Sequence, residues 1–192
     1  MILFPHYFDK NLFFKFVKSS ELTLFYYYII STLFFFNKKL LFLASSIIIN
    51  SYINYFLKHS ISVPIFSKFN DIIPIFGQGS RPIGAVDCGY FDNCPGKVAK
   101  SFGFPSGHSQ FAGLQVGFYI RDIIINSKEK KILKLKNKDK FKIIFLFLLM
   151  FTMMYTRIYI EKCHTIEQTI FGSIIGLILG YQSNKFYYKY FV

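Results

Sequence analysis

The chain has 192 residues, a formal net charge of +13 and 53% hydrophobic residues, with 26 Phe and 14 Tyr among them. A single domain this apolar would carry aggregation-prone patches in water, which excludes an ordinary soluble fold. The positive charge does not build a nucleic-acid face either. It gathers between apolar runs, above all in "KEKKILKLKNKDKFK" from Lys128 to Lys142, as the positive-inside bias of membrane proteins requires.

In chain order, residues 1–20 are aromatic with Lys10, Lys15 and Lys18 interspersed, and read as an interfacial segment. The start, "MILFPHYFDKNLFFKF", lacks a basic n-region and a small-residue cleavage site, so the first apolar span is expected to act as the insertion signal. That span runs from about Glu21 to Phe36 and a second from about Leu40 to Phe56, with Lys38 and Lys39 between them. Residues 59–104 differ in kind: they hold most of the prolines together with Asp71, Asp87, Asp92, Cys88 and Cys94. A loop of that length and polarity is expected to be functional.

A third helix is expected from Pro105 to about Asn126, Pro being suited to a first turn. Arg121 and Asp122 near its far end can snorkel. The basic loop, residues 127–140, leads to a fourth helix, about Phe141 to Ile160. A fifth runs from about Thr165 to Gln182, with a short tail, residues 185–192. In the fifth, Gly172, Ser173, Gly176 and Gly180 suit close helix packing. The fold class is therefore all-α: a polytopic transmembrane helical bundle of about five helices, six being the alternative, with one membrane domain over residues 21–184. Parity puts the Lys38–Lys39 turn, the basic loop and the tail on one side, expected to be cytoplasmic. The long loop, the start of helix three and the end of helix four then share the other side.

On that side lie Arg81, Ser106, His108, Arg157 and His164. Two guanidiniums can clamp phosphate oxygens, and the N–H groups at the start of helix three offer an anion site. Two histidines offer a nucleophile and a proton donor. These parts suffice to hydrolyse a phosphoester, and the chain shows no convincing metal-ligand cluster.

The order of three short motifs resembles the type 2 phosphatidic acid phosphatase superfamily of membrane lipid phosphatases. That family carries Lys-x6-Arg-Pro, Pro-Ser-Gly-His and Ser-Arg-x5-His-x3-Asp. Here they correspond to "RP" (Arg81-Pro82), "PSGH" (Pro105 to His108) and "TRIYIEKCHTIEQ" (Thr156 to Gln168), over roughly residues 70–180. The resemblance implies a metal-independent, cofactor-free phosphatase. In it His164 forms a phosphohistidine, His108 protonates the leaving group, and Arg81, Arg157, Ser106 and the Gly107 amide bind the phosphoryl oxygens.

The chain departs from the pattern in four places. Pro74 stands where the first-motif lysine belongs, with Lys68, Lys97 or Lys100 as substitute charges. Thr156 replaces the serine, six residues instead of five separate Arg157 from His164, and Gln168 replaces the aspartate. A glutamine can fix an imidazole tautomer but stabilises an imidazolium only weakly; Glu161 and Glu167 are the carboxylates nearby. Dolichyl diphosphatases, a branch of the superfamily, show a similar His-Thr-x-x-Gln pattern, matched by "HTIEQ". The expected substrate is a lipid phosphate or polyprenyl diphosphate met at the non-cytoplasmic face of the bilayer. Phosphoryl transfer to a lipid or sugar acceptor, and a catalytically decayed lipid-binding homologue, are the alternatives. A Cys88–Cys94 disulfide is sterically possible, and Cys163 is a less favoured nucleophile than its neighbour His164.

Overall fold

The computed structural model describes residues 10–66, 81, 82, 85, 102–129 and 136–192, with side chains described from residue 19 onward and, in the third long helix, to residue 127. Helix α1 spans Lys10–Phe35 and α2 spans Lys38–Phe56, which a π-turn, Leu57–Ser62, carries on into Val63–Phe66. Helix α3 is Gly107–Glu129. Helix α4 is Asn137–Tyr155, extended by a second π-turn, Thr156–Ile160, and α5 is Ile166–Tyr190. Among the described residues there is no strand, so the expected all-helical class holds.

Two of these helical stretches, Lys38–Ile65 and Asn137–Ile160, are long and apolar enough to cross a membrane. At 1.5 Å per residue they are roughly 42 and 36 Å long, enough for the roughly 30 Å hydrocarbon core of a bilayer. The expectation of five or six spans is therefore met by five long helices but not by five that pass on length and apolarity. The reason lies in what the others carry. Helix α3 buries Ser109, Gln110 and Gln115, and α5 buries Gln168, Thr169, Ser173 and Asn184. Such side chains lower the apolarity of a helix while serving its neighbours.

Helices α3 and α5 form the closest pair, and glycine is what lets them approach. A Cβ at Gly172, Gly176 or Gly180 would run into the backbone of Ser106, Gln110 or Leu114, and one at Gly113 or Gly117 into that of Ser173 or Leu177. The small-residue stripe is thus a two-sided seam, each helix offering glycines to the other's carbonyls. Around it Tyr28, Leu43, Ala44, Ile47, Phe111, Leu114 and Phe118 form the apolar core. The outer surface is apolar as well: Ile48, Tyr52 and Tyr55 on α2, Phe141, Leu148 and Phe151 on α4, and Ile166, Ile170, Ile174 and Ile178 on α5 are exposed. Large apolar groups outside and polar ones inside are compatible with a membrane protein.

One end of the bundle is pinned by charge. Lys39 pairs with Asp122, which also accepts a 2.7 Å hydrogen bond from the Tyr188 hydroxyl. Arg121 donates to Asn184 at 2.9 Å and lies over the Tyr181 ring. Arg121 and Asp122 therefore turn inward to partners instead of snorkelling. Asp122 and Asn126 share a cavity with Lys136, Asp139 and Lys142, so the α1–α2 turn and the flanks of the basic loop meet at this end.

Candidate active site

The opposite end is built from three chain segments: Arg81, the start of α3, and the α4–α5 junction. Two of them are tied by the Ser106 N–H, which donates to the Gln168 carbonyl at 3.0 Å. The Ser106 carbonyl then accepts from Gln110 N–H at 3.0 Å, opening α3. The Phe104–Pro105 peptide preceding it is cis. Gly103 and Gly107 are needed for closeness: a Cβ on Gly103 would collide with the Gln168 amide, and one on Gly107 would lie 3.1 Å from Asn54 Oδ1.

The α4–α5 junction is built on a π-turn and a tight reversal. The π-turn Thr156–Ile160 closes with the Glu161 N–H on the Thr156 carbonyl at 2.9 Å, five residues back. A π-turn is one residue wider than an α-turn. The Arg157 carbonyl then receives the N–H groups of Cys163 and His164, at 3.1 and 3.3 Å. Lys162, with φ 52°, makes the tight reversal.

His164 is held at both ring nitrogens. Nδ1 lies 3.1 Å from Gln168 Oε1 and Nε2 lies 3.5 Å from Arg81 NH1. The Gln168 amide is itself fixed, because Thr165 and Gln168 form a capping box at the start of α5: the Thr165 N–H donates to Oε1 at 3.3 Å, and Thr165 Oγ1 accepts from Gln168 N–H at 3.4 Å. With Oε1 so oriented, Nδ1 carries the ring proton as donor and Nε2 presents its lone pair toward Arg81. Burial above all, then the Arg81 and Lys58 cations, hold the His164 imidazole well below the usual histidine range, and the Gln168 bond works the other way.

Arg81 also donates to the Cys163 carbonyl at 3.2 Å. Arg157 is completely buried and pairs with Glu161, with the charges of Arg81 and Glu21 in reach. His108 and Ser106 are buried beside them, and His108 lies within electrostatic reach of Arg157, His164, Lys58 and Arg81. The structure thus brings together Arg81, Ser106, Gly107, His108, Arg157, His164 and Gln168. Glu161 proves to be an Arg157 partner. Cys163 is disulfide-bonded, which removes the thiol a cysteine nucleophile needs. Cys88, Cys94, Pro74, Lys68, Lys97 and Lys100 lie outside the described residues.

Two features of the site are not singled out by the sequence. One is Lys58, on the π-turn that extends α2; its charge reaches both imidazoles. It is the one lysine in the apolar run 40–66, and an ionisable group at such a place is a functional signal. The other is an amide ladder behind α3: Gln110 Nε2 donates to Asn50 Oδ1 at 2.9 Å, and Asn54 Nδ2 donates to Gln110 Oε1 at 2.8 Å and to the Pro105 carbonyl at 3.3 Å. Asn50 and Asn54, four apart on an apolar helix, were its visible trace.

Neither curated proteins nor solved structures return a match. A family model, that of the PAP2 superfamily, matches residues 39–191, from the first turn of α2 to the end of α5 and across every segment of the site. The chain belongs to the PAP2 superfamily, whose general activity is phosphatase-type chemistry on phosphate esters.

Proposed function

We propose that this protein is an integral membrane phosphatase that hydrolyses a lipid phosphate or diphosphate through a phosphohistidine at His164. The observation that carries the reading is the pairing of His164: its Nδ1 proton is committed to Gln168, and its Nε2 lone pair is directed at the Arg81 guanidinium, where a phosphoryl oxygen would sit. Nε2 attacks phosphorus as the bond to the leaving oxygen breaks, and His108 gives that oxygen its proton. Water, relieved of a proton by His108, then cleaves the phosphorus–nitrogen bond, releasing phosphate and restoring His164.

Arg81, Arg157 and Lys58 neutralise the phosphoryl oxygens, joined by Ser106 and the Gly107 N–H. Lys58 takes the part of the cation missing at Pro74. The negative charge of a bound phosphate offsets the cations around His108 and favours its protonated, donating form. The reaction faces the non-cytoplasmic side. A disulfide at Cys163, next to the nucleophile, suits an oxidising compartment, and the basic end of the bundle lies opposite.

Phosphate release from phosphatidate and from a prenyl diphosphate, measured with chelator present, tests this. His164→Ala is expected to lose about 10³-fold or more in kcat. Release by His164→Ala at the native rate would sink the reading. Product analysis with and without a lipid alcohol separates hydrolysis from transfer.

A further inference from the structure

A cleft of about 310 Å³ opens between α1, α3 and α4, apart from the phosphate cluster but in line with it. On α3 it is lined by Phe111, Ala112, Gln115 and Val116, which stand three, four, seven and eight residues beyond His108 and so continue the His108 face of the helix. On α4 it is lined by Met153, Met150, Leu149 and Leu146, which stand four, seven, eight and eleven residues before Arg157 and continue the Arg157 face. Leu24 and Thr23 of α1 close the third side.

From this geometry we infer that the cleft holds the hydrocarbon chain of the substrate, whose phosphate sits above it between His108 and Arg157. This rests on the lipid phosphatase reading and says where its specificity for lipid arises. The same two helix faces that end in the phosphate ligands become apolar immediately below them, as a headgroup joined to a chain demands. The far end of the lining lies about 12 Å from His108 along α3 and about 16 Å from Arg157 along α4. That is close to the roughly 15 Å from the edge of a bilayer's hydrocarbon core to its midplane. Met150 and Met153 add unbranched, adaptable side chains, which suit a flexible occupant.

The test compares a long-chain lipid phosphate in mixed micelles with butyl phosphate, which has almost no chain. Filling the cleft with Ala112→Phe, or more gently with Ala112→Leu, is expected to lower kcat/KM for the long-chain substrate by about ten-fold or more. Turnover of butyl phosphate stays within about two-fold, and this also reports that the variant is folded. Equal losses on both substrates, or no loss on either, overturn the inference. A wild-type protein that releases phosphate from neither substrate instead overturns the phosphatase reading on which it rests.

Binding gives a readout without turnover. The chain has no Trp, so Leu149→Trp places a single fluorophore at the cleft. A brominated-chain lipid phosphate should quench it, and unbrominated lipid phosphate should relieve the quenching where phosphatidylcholine does not. Equal relief by phosphatidylcholine makes the cleft a general lipid groove and defeats the inference.

Discussion

At the scale of single residues, Gln168 serves the site and the helix at once. It is the third helical residue of α5, and its amide oxygen is held by the Thr165 N–H while it faces His164 Nδ1. Gln168→Leu therefore removes a tautomer-fixing acceptor and half of a capping box together. Loss of activity by about 10²-fold or more is expected, with about 1 kcal/mol of stability lost, read from kcat and from thermal unfolding in detergent. The buried His164 stays neutral well into the acid range. The acid limb of kcat/KM, which reports the free enzyme, should thus fall well below the ordinary histidine value of 6.5. Lys58→Gln takes away a cation that opposes protonation, so the same limb should move to higher pH while KM rises; Lys58→Arg should restore both. An unchanged limb and KM in Lys58→Gln would remove Lys58 from the site. His164, His108 and the two arginines were legible because each sits in a short motif. Lys58 sits in no motif and is marked only by its isolation in the apolar run 40–66, because the groups it faces come from α3 and the α4–α5 junction.

At the scale of elements, what the sequence made legible depended on whether a helix's signal was its own or its neighbour's. The five helices follow from their apolar runs, but α1 begins at Lys10 and α5 continues to Tyr190, beyond the expected limits at Glu21 and Gln182. Lysines and tyrosines at those ends break the apolar run without breaking the hydrogen-bonded helix. The π-turn Thr156–Ile160 before His164 was not legible, because a π-turn has no composition that announces it. The α3–α5 seam was visible as small residues at four-residue spacing on α5, though the answering pair Gly113 and Gly117 needed the structure. That seam also positions the site, because it sets Ser106 against Gln168. Gly176→Val would drive its Cβ into the Gln110 carbonyl and add two methyl groups to the seam. Overpacking of this kind costs about 1–3 kcal/mol or more. A lower unfolding midpoint and weaker phosphate release are expected together. Ile174→Val, on the exposed face of the same helix, should stay within about 0.5 kcal/mol of the parent, both read by thermal unfolding in detergent.

At the scale of the whole molecule, the bundle separates two kinds of charge to its two ends. Lys39, Asp122, Tyr188 and the flanks of the basic loop gather at one end, while Arg81, Arg157, His108 and His164 gather at the other. The inward pairing of Asp122 with Lys39 and Tyr188 fixes the first of these ends. The positive-inside bias supports the proposed orientation, since lysine-rich segments resist crossing the membrane. Cys163 gives an independent pointer, because a disulfide persists where thiols are not kept reduced. Both arguments support the proposal that the phosphate cluster lies on the non-cytoplasmic face, where a lipid-borne phosphate would be met from the outer leaflet. Single cysteines placed at Asn137 and at Ile166, both exposed and at opposite ends, test the orientation in sealed vesicles of known sidedness. With label on the parent protein subtracted, an impermeant maleimide applied from the non-cytoplasmic side should modify Ile166→Cys directly. It should reach Asn137→Cys only after the membrane is permeabilised. The reverse pattern would turn the bundle over, place the phosphate cluster in the cytoplasm and leave the Cys163 disulfide without the compartment that sustains it.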